Sequence, residues 1–496
     1  MAVFDEGAPV LVAVGEASGK SLGLEWPAPS DLAGAAIKAA LADSGRAAAL
    51  GNAVDCIVAI RSFEDSGIRF GTGSPDNVAD AYAQAGGINP GHLFYSDIGG
   101  QTPQALVNDF AAALRAGEYR AVLIAGAEAT YTAKRARRQS VQLDWGKASD
   151  RDYTDLLSAF AILSRTEIRH GVISMPLAYS MIETARRARL GMDMPAYGAE
   201  MARLWAAFSQ KSPARAHAQF AKIWREEALQ AGEDGNYPLT QIYRRWMVAQ
   251  DSVDVAAALV LTTAGTARGL GIAPDRLVWL AGAAETYDPP ISERANLAGS
   301  DAQNSAINAA LDQAGVAAAD LGPVDIYSCF PCAVFAAIDH MAGLARPLAD
   351  YTLTGGLSFF GGPGNGYALH SLAAMVQAMR QGDGKPAMVT ANGGVMSKQA
   401  VGIYTAAQPN RGWSGKAAAG YLAQALPLDP APNGKARVLT YAQPYQNNIA
   451  GAASLIVEME NGARAMAVWD NPPDCDLAGQ IACITAGEKR HSAVTA

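Results

Sequence analysis

Glycine is concentrated in one short segment of the sequence, Gly355 to Gly366. It reads GGLSFFGGPGNG, and six of its twelve residues are glycine. A backbone without side chains allows another group to come very close. We therefore expect the backbone of this segment to lie in close contact with either a ligand or another part of the chain. The segment alone does not distinguish the two.

Two cysteines, Cys329 and Cys332, have the spacing of half a zinc site or of a redox pair. A structural zinc site has four ligands, and the sequence holds no second Cys-x-x-Cys. Two small buried residues at the end of a strand are the favoured interpretation, and we predict no metal site. The segment VGEASGKS is not a phosphate-binding loop, because Val14 stands where that loop needs glycine. The six histidines form no cluster.

The composition is that of an ordered globular protein. The 496 residues carry a net charge of −8, with 50% apolar and 17% charged residues. This balance argues against a nucleic-acid-binding protein. No basic start followed by an apolar run and no window of about 20 apolar residues is present, so we expect neither a signal peptide nor a membrane span. Five cysteines favour a reducing compartment, and we expect a cytoplasmic protein.

Strand-like and helix-like segments alternate in the early chain, which indicates a parallel sheet with crossover helices. A repeat then points to duplication: residues 37–60 and residues 307–330 align without a gap, and ten of the twenty-four positions are identical. A second pair, residues 114–126 and 379–391, shares a helix end, a glycine, a charged turn and a strand. We therefore predict an internally duplicated α/β fold of two βαβαβ halves.

Two further regions interrupt or follow the halves. Residues 131–243 look like a helical insertion, and residues 131–230 hold sixteen Lys or Arg against ten Asp or Glu. This excess favours an anionic ligand nearby, or equally a solvated helical surface. From about residue 409 the pattern becomes β-rich, with a hairpin turn at Asn461-Gly462 and a C-terminal end that we expect to fray. The predicted domains are 1–130 with 244–270, 131–243, 271–408 and 409–496.

These features resemble the thiolase superfamily over about residues 1–405. The resemblance is carried by the duplication and by four motifs in order: the helix after Gly100, DIYSCFP, GGLSFFGGPGNG and TANGG. More narrowly, the chain resembles thiolase-like proteins that have an additional C-terminal domain and are commonly called acetyl-CoA acetyltransferases. The resemblance implies chemistry at the carbon–carbon bond beta to a CoA thioester, and a homodimer with sheets paired edge to edge.

The same resemblance implies that the nucleophile is missing. A thiolase cysteine belongs at the start of the helix that ends at Gly117, at Gly100 or Gln101. No cysteine occurs between Cys56 and Cys329. The cysteine at position 329 corresponds to a motif residue of the family and not to its nucleophile.

The activating groups are missing as well. The family's Gly-His-Pro reads Gly361-Gly362-Pro363, and its second cysteine maps to Thr390 or Ala391. Covalent acyl transfer through cysteine needs a thiolate and a base within hydrogen-bond reach. We therefore expect no ordinary thiolase activity.

What the resemblance leaves is a pocket of backbone donors with one titratable side chain. Tyr327 stands where the family keeps an oxyanion-site residue; it is predicted to be catalytic, donating to a carbonyl or shuttling a proton in a retro-aldol cleavage. The alternative is that it only packs beside the site. The predicted substrate-binding residues are Gly100, Gln101, Cys329, Gly361, Gly362, Asn392, Gly393 and Gly394.

Two functions remain open from the sequence. The first is a CoA-thioester enzyme, an aldolase or lyase, that acts without a cysteine nucleophile. The second is a catalytically silent acyl-CoA-binding or scaffold protein. In either case we expect no permanently bound cofactor, with coenzyme A entering as part of the substrate, and neither nucleic acid nor membrane as a partner.

Overall fold

The computed structural model describes residues 4–160, 162–341, 343–417, 420 and 424–496. The first half of the fold has buried strands rich in Ala, Val, Leu and Ile, which suit a sheet covered on both faces. Its elements are β1 (Pro9–Ser18), α1 (Gly19–Leu22), α2 (Pro29–Asp43), α3 (Ala47–Ala53), β2 (Cys56–Ala59), α4 (Val78–Gly86), β3 (His92–Tyr95), α5 (Thr102–Arg115), β4 (Ala121–Ala129) and α6 (Thr130–Arg138).

An insertion, largely helical, separates β4 from the last strand of this half. It contains β5 (Thr154–Asp155), α7 (Arg165–Arg169), α8 (Met175–Arg189), α9 (Met194–Ser209) and α10 (Glu226–Ala231). The chain then returns to the sheet with β6 (Asp254–Thr263) and α11 (Ala264–Gly269).

The second half repeats the order of the first. It contains β7 (Val278–Tyr287), α12 (Asp301–Ala314), β8 (Val324–Asp325), α13 (Pro331–His340), α14 (Tyr367–Gln381), β9 (Ala387–Gly393) and β10 (Lys398–Thr405). The additional C-terminal domain contains β11 (Gly434–Ala442), β12 (Tyr445–Gln446), β13 (Ile449–Ala450), β14 (Ala453–Met459), β15 (Arg464–Trp469), β16 (Ile481–Thr485) and β17 (Ser492–Thr495).

One sheet joins both halves, in the order β5-β3-β2-β4-β6-β1-β7-β10-β9-β8. From the central β1–β7 contact outwards, β6, β4 and β2 on one side correspond to β10, β9 and β8 on the other. The expectation of a parallel sheet was wrong in part: β6 runs antiparallel to both β1 and β4, and β10 antiparallel to both β7 and β9. A strand that returns after an insertion or a tight turn needs no crossover helix and can run antiparallel.

The duplication is visible in one glycine of each half. A Cβ atom on Gly15 of β1 would overlap the backbone of α2, lying 2.9 Å from the carbonyl carbon of Ala39. A Cβ atom on Gly282 of β7 would overlap α12 in the same way, 3.0 Å from the carbonyl carbon of Ala310. Glycine thus lets the first long helix of each half pack directly on its strand. The predicted fold class, duplicated α/β halves with a helical insertion, is confirmed.

The C-terminal domain is a closed barrel, in the order β11-β14-β15-β17-β16. Asn461-Gly462 joins β14 to β15 as predicted, with Gly462 at a φ of 80°. The expectation that the last residues fray was wrong, because β17 pairs with β16 and closes the barrel. The barrel docks on the insertion, where the Thr440 hydroxyl donates to the carbonyl of Met181 at 2.5 Å. Within the described ranges no helix has the length and apolar character to cross a membrane.

Candidate active site

The turn before α5 is held by the glycine-rich loop. Asn365 accepts a hydrogen bond from the N–H of Gly99 at 2.9 Å, and its Nδ2 donates to the carbonyl of Arg61 at 2.7 Å. Gly99 has a φ of 135°, in a region that glycine adopts without strain. The loop therefore fixes the turn that leads into α5, where the resemblance places the missing nucleophile.

The space beside Gly100 is filled by Tyr327. A Cβ atom on Gly100 would lie 2.5 Å from Cζ of Tyr327, closer still to its hydroxyl oxygen, and 2.6 Å from the carbonyl oxygen of Asn392. In this arrangement no side chain fits at position 100. The phenol thus lies directly against Gly100, one of the two positions at which the resemblance places a nucleophile.

Tyr327 is positioned from three sides. It follows β8, its N–H donates to the Thr390 hydroxyl at 3.1 Å, and its ring meets that of Tyr367 edge to face at 5.4 Å. Only 5% of its surface is exposed, and the hydroxyl makes no hydrogen bond to the described part of the chain. Burial raises the pKa of Tyr327 far above its usual value. At neutral pH the group is a phenol, able to donate a hydrogen bond but not to act as a base.

The Gln101 side chain is a second polar group without a partner at this site. It is 6% exposed, and its Oε1 is buried without a hydrogen bond to any described residue. Cβ atoms on Gly99 and on Gly393 would each lie 2.9 Å from Cδ of Gln101 and closer to its Oε1. The carboxamide therefore sits between these two glycines, beside Gly100. A buried, unpaired acceptor costs free energy that a donor from a ligand would recover.

Cys329 lies in an adjacent hydrogen-bond network. Nδ2 of Asn392 donates to the Cys329 sulfur at 3.5 Å and to the Tyr179 hydroxyl at 3.1 Å. The Tyr179 hydroxyl in turn donates to the carbonyl of Gly394 at 2.9 Å. Burial raises the pKa of the Cys329 thiol to about 12. The thiol is therefore protonated at neutral pH, even though the hydrogen bond from Asn392 acts to lower its pKa.

The remaining predicted residues have other neighbours. The N–H of Gly362 donates to the carbonyl of Gln250 at 2.7 Å, so this donor is not free for a substrate. A Cβ atom on Gly361 would meet Val253, and one on Gly394 would meet Ser397. The structure brings Gly100, Gln101, Tyr327, Asn392 and Gly393 together, with Cys329 one hydrogen bond away.

The second cysteine of the Cys-x-x-Cys pair lies in a different environment from Cys329. Cys332 is buried, its N–H donates to Glu183 at 2.7 Å, and its sulfur lies 3.6 Å from the Tyr243 hydroxyl. No group of three or more possible ligands gathers anywhere in the described ranges. Sequence reasoning missed Tyr179, which lies on a helix of the insertion, and no motif pointed to it. It also missed Asn365, for which the only signal was its position in the glycine-rich loop.

The comparison with solved structures decides the family. Over 100% of both chains, the protein is similar to a structure described as a monomeric SCP2-thiolase like protein type 1 from Mycobacterium smegmatis, with 31% identity and a TM-score of 0.82. The chain belongs to the SCP2-thiolase-like proteins. No family model matches it, and no curated protein does.

A second solved structure agrees with this thiolase-like fold. It is described as an Ltp2-ChsH2(DUF35) aldolase, with 18% identity, a TM-score of 0.58, and coverage of 80% of this chain and 98% of that chain. At this identity the likeness concerns the fold alone. The resemblance to the thiolase superfamily is thus confirmed. At Gly100 and Gln101, the two positions expected for the nucleophile, the structure shows a phenol packed against Gly100.

Proposed function

We propose that this thiolase-like protein acts on acyl-CoA esters at the carbon–carbon bond beta to the thioester, without a cysteine nucleophile. The supporting observation is the Tyr327 hydroxyl beside Gly100, where a donor can serve a thioester oxygen. A retro-aldol cleavage of a 3-hydroxyacyl-CoA fits this arrangement better than acyl transfer, since acyl transfer needs a thiolate.

The proposed cleavage is balanced within the substrate. The hydroxyl on C3 gives its proton to solvent water and the C2–C3 bond breaks. The electron pair of that bond forms the thioester enolate, while C3 leaves as a carbonyl. The enolate then takes up one proton from solvent at C2, so the protons released and taken up are equal. Cleavage therefore consumes no oxidant, reductant or further cofactor, and coenzyme A takes part only as the carrier of the acyl group.

Two groups of the site would contribute to this reaction. The Tyr327 phenol would donate to the thioester oxygen, where negative charge develops, and stabilise the enolate. The unpaired Oε1 of Gln101 would accept a hydrogen bond from the substrate hydroxyl and orient it. Neither role requires an ionised tyrosine, which agrees with the raised pKa of Tyr327.

A silent acyl-CoA-binding or scaffold protein is the second candidate. The observation that favours it is the burial of both groups, with Tyr327 filling the space beside Gly100. In that case the pantetheine would bind while the acyl chain is not cleaved.

The deciding experiment incubates the protein with a panel of 3-hydroxyacyl- and 3-ketoacyl-CoA esters and detects cleaved products by mass spectrometry. We expect cleavage of 3-hydroxyacyl esters, reduced about 100-fold in Tyr327→Phe, as for removal of one oxyanion donor. Tyr441→Phe, a buried tyrosine of the C-terminal barrel, is the matched control and should retain activity. Binding without turnover would instead support the scaffold function.

The homodimer and the cytoplasmic location stay predictions. At the end of the sheet where an edge-to-edge dimer would pair, β3 is already covered by β5. Phe94 pairs with Thr154 and Tyr95 with Asp155. A second copy would therefore have to displace β5 or bind elsewhere. The relative from Mycobacterium smegmatis is described as monomeric, and mass measurement in solution decides the state of this chain.

A further inference from the structure

A cleft separate from the candidate active site lies at the carboxyl end of β4. Most of its exposed lining is apolar, with Phe70, Val78 and Trp145 among the residues, and serine and threonine hydroxyls complete the wall. Glu64, Glu128 and Tyr82 also line it. The cleft has a cavity volume of about 30 Å³. This is room for about two waters or one small organic group. In open α/β sheets, ligands characteristically bind at the carboxyl ends of strands.

Glu128 is buried in this cleft with only part of its hydrogen-bonding capacity used. It is 6% exposed, and Oε1 accepts from the N–H of Phe63 at 2.7 Å. Among the described residues, no Lys, Arg or His forms an ion pair with it. Burial, opposed by the hydrogen bond from Phe63 and aided by the carboxylates of Asp65, Asp251 and Glu64, raises the pKa of Glu128 to about 8. At neutral pH Glu128 is therefore mostly a neutral acid with an O–H to donate.

Tyr82 presents a second donor to the same cleft. It is 1% exposed, and its hydroxyl makes no hydrogen bond of normal geometry to a described residue, although the backbone of Ala127 lies near it. Burial raises the pKa of Tyr82 far above its usual value, so this group too stays protonated. A phenol and a protonated carboxylic acid in an apolar site form a pair of donors suited to one oxygen acceptor.

We propose that this cleft binds a neutral carbonyl compound, whose oxygen accepts hydrogen bonds from Glu128 and Tyr82 and whose apolar part lies against the aromatic walls. An anion is disfavoured by the three neighbouring carboxylates. The same carboxylates attract a cation, so an ammonium ion is the competing ligand that the test below includes. A ketone or aldehyde is the ligand that accepts from both O–H donors.

The cleft is built independently of the Tyr327 site but touches the same loop. A Cβ atom on Gly364 would lie 2.9 Å from Oε1 of Glu128, and the next residue, Asn365, holds Gly99 of the active-site turn. The two sites therefore contact the glycine-rich loop through different residues, and binding at the cleft is measurable without turnover at the Tyr327 site.

The test titrates the full chain with acetone labelled with ¹³C at the carbonyl, observed by NMR, beside isopropylammonium of similar size. We expect saturable binding of acetone with a downfield carbonyl shift, and no saturable binding of isopropylammonium. Glu128→Leu and Tyr82→Phe should each weaken acetone binding about tenfold, the effect of losing one hydrogen bond. Glu128→Gln keeps an N–H donor and should stay within about threefold of wild type.

Glu118→Gln, an exposed acidic position, is the control and should bind as wild type does. Absence of saturable acetone binding would overturn the proposal. Binding of isopropylammonium that Glu128→Gln abolishes would also overturn it and assign a cation site instead. If the leucine variant does not fold, a wild-type crystal soaked in acetone decides, since the ketone oxygen must lie within hydrogen-bond distance of Glu128 and Tyr82.

Discussion

Substitution of Gly100 by alanine tests whether the Tyr327 phenol packs directly against Gly100. The added Cβ atom would lie 2.5 Å from Cζ of Tyr327 and 2.6 Å from the carbonyl oxygen of Asn392. Real Cβ atoms essentially never approach another atom closer than 3.0 Å. The ring can rotate or shift, but the backbone carbonyl belongs to β9 and yields little. We therefore expect Gly100→Ala to lower the free energy of unfolding by about 3 kcal/mol, the upper end for overpacking a core.

The assay is urea unfolding of the single variants and of the double variant with Tyr327→Ala. Removing the ring gives the new methyl group space, so the cost of Gly100→Ala should fall by about 1–2 kcal/mol in that background. The matched control is Gly366→Ala, since a Cβ atom there meets nothing within 4 Å; its cost should be small. Additive effects at Gly100 and Tyr327, or a cost at Gly100 no larger than at Gly366, would refute the arrangement.

Three further outcomes follow from the described contacts. Nδ1 of His170 donates to a backbone carbonyl and its Nε2 accepts from the N–H of His491, and burial lowers the pKa of both histidines. As the pH falls below about 6.5, these histidines bind protons more readily in the unfolded chain than in the folded one. The melting temperature should therefore fall, and it should fall less in His170→Gln. Iodoacetamide at pH 8 should label the exposed Cys475 much faster than Cys329, which mass mapping checks. Thr154→Pro should uncover the edge of β3 and raise the mass in light scattering above wild type.

The duplication was predictable from the sequence, whereas the contact at the site was not. The aligned repeats mark helices and strands that form within each half, and the pattern of local residues suffices for these. The approach of Tyr327 to Gly100 joins the two halves, and the partnering of Asn365 with Gly99 joins residues 266 positions apart. No local pattern reports such contacts; only the family resemblance pointed to position 327.

The errors have the same physical origin. The last residues look polar and frayed in isolation, yet Ser492–Thr495 is held by pairing with β16 and β15. The sheet was expected to be parallel, and β6 and β10 instead run antiparallel to their neighbours. Strand closure and backbone pairing depend on segments distant in the chain, which periodicity and motif spacing do not describe.

The most direct measurement is the intact mass of the protein, quenched during turnover of a 3-hydroxyacyl-CoA that it cleaves. Without a cysteine nucleophile, products accumulate while the protein keeps its unmodified mass, and Cys329→Ala still cleaves the ester. A mass increase equal to the acyl group, located on a cysteine, would contradict the account.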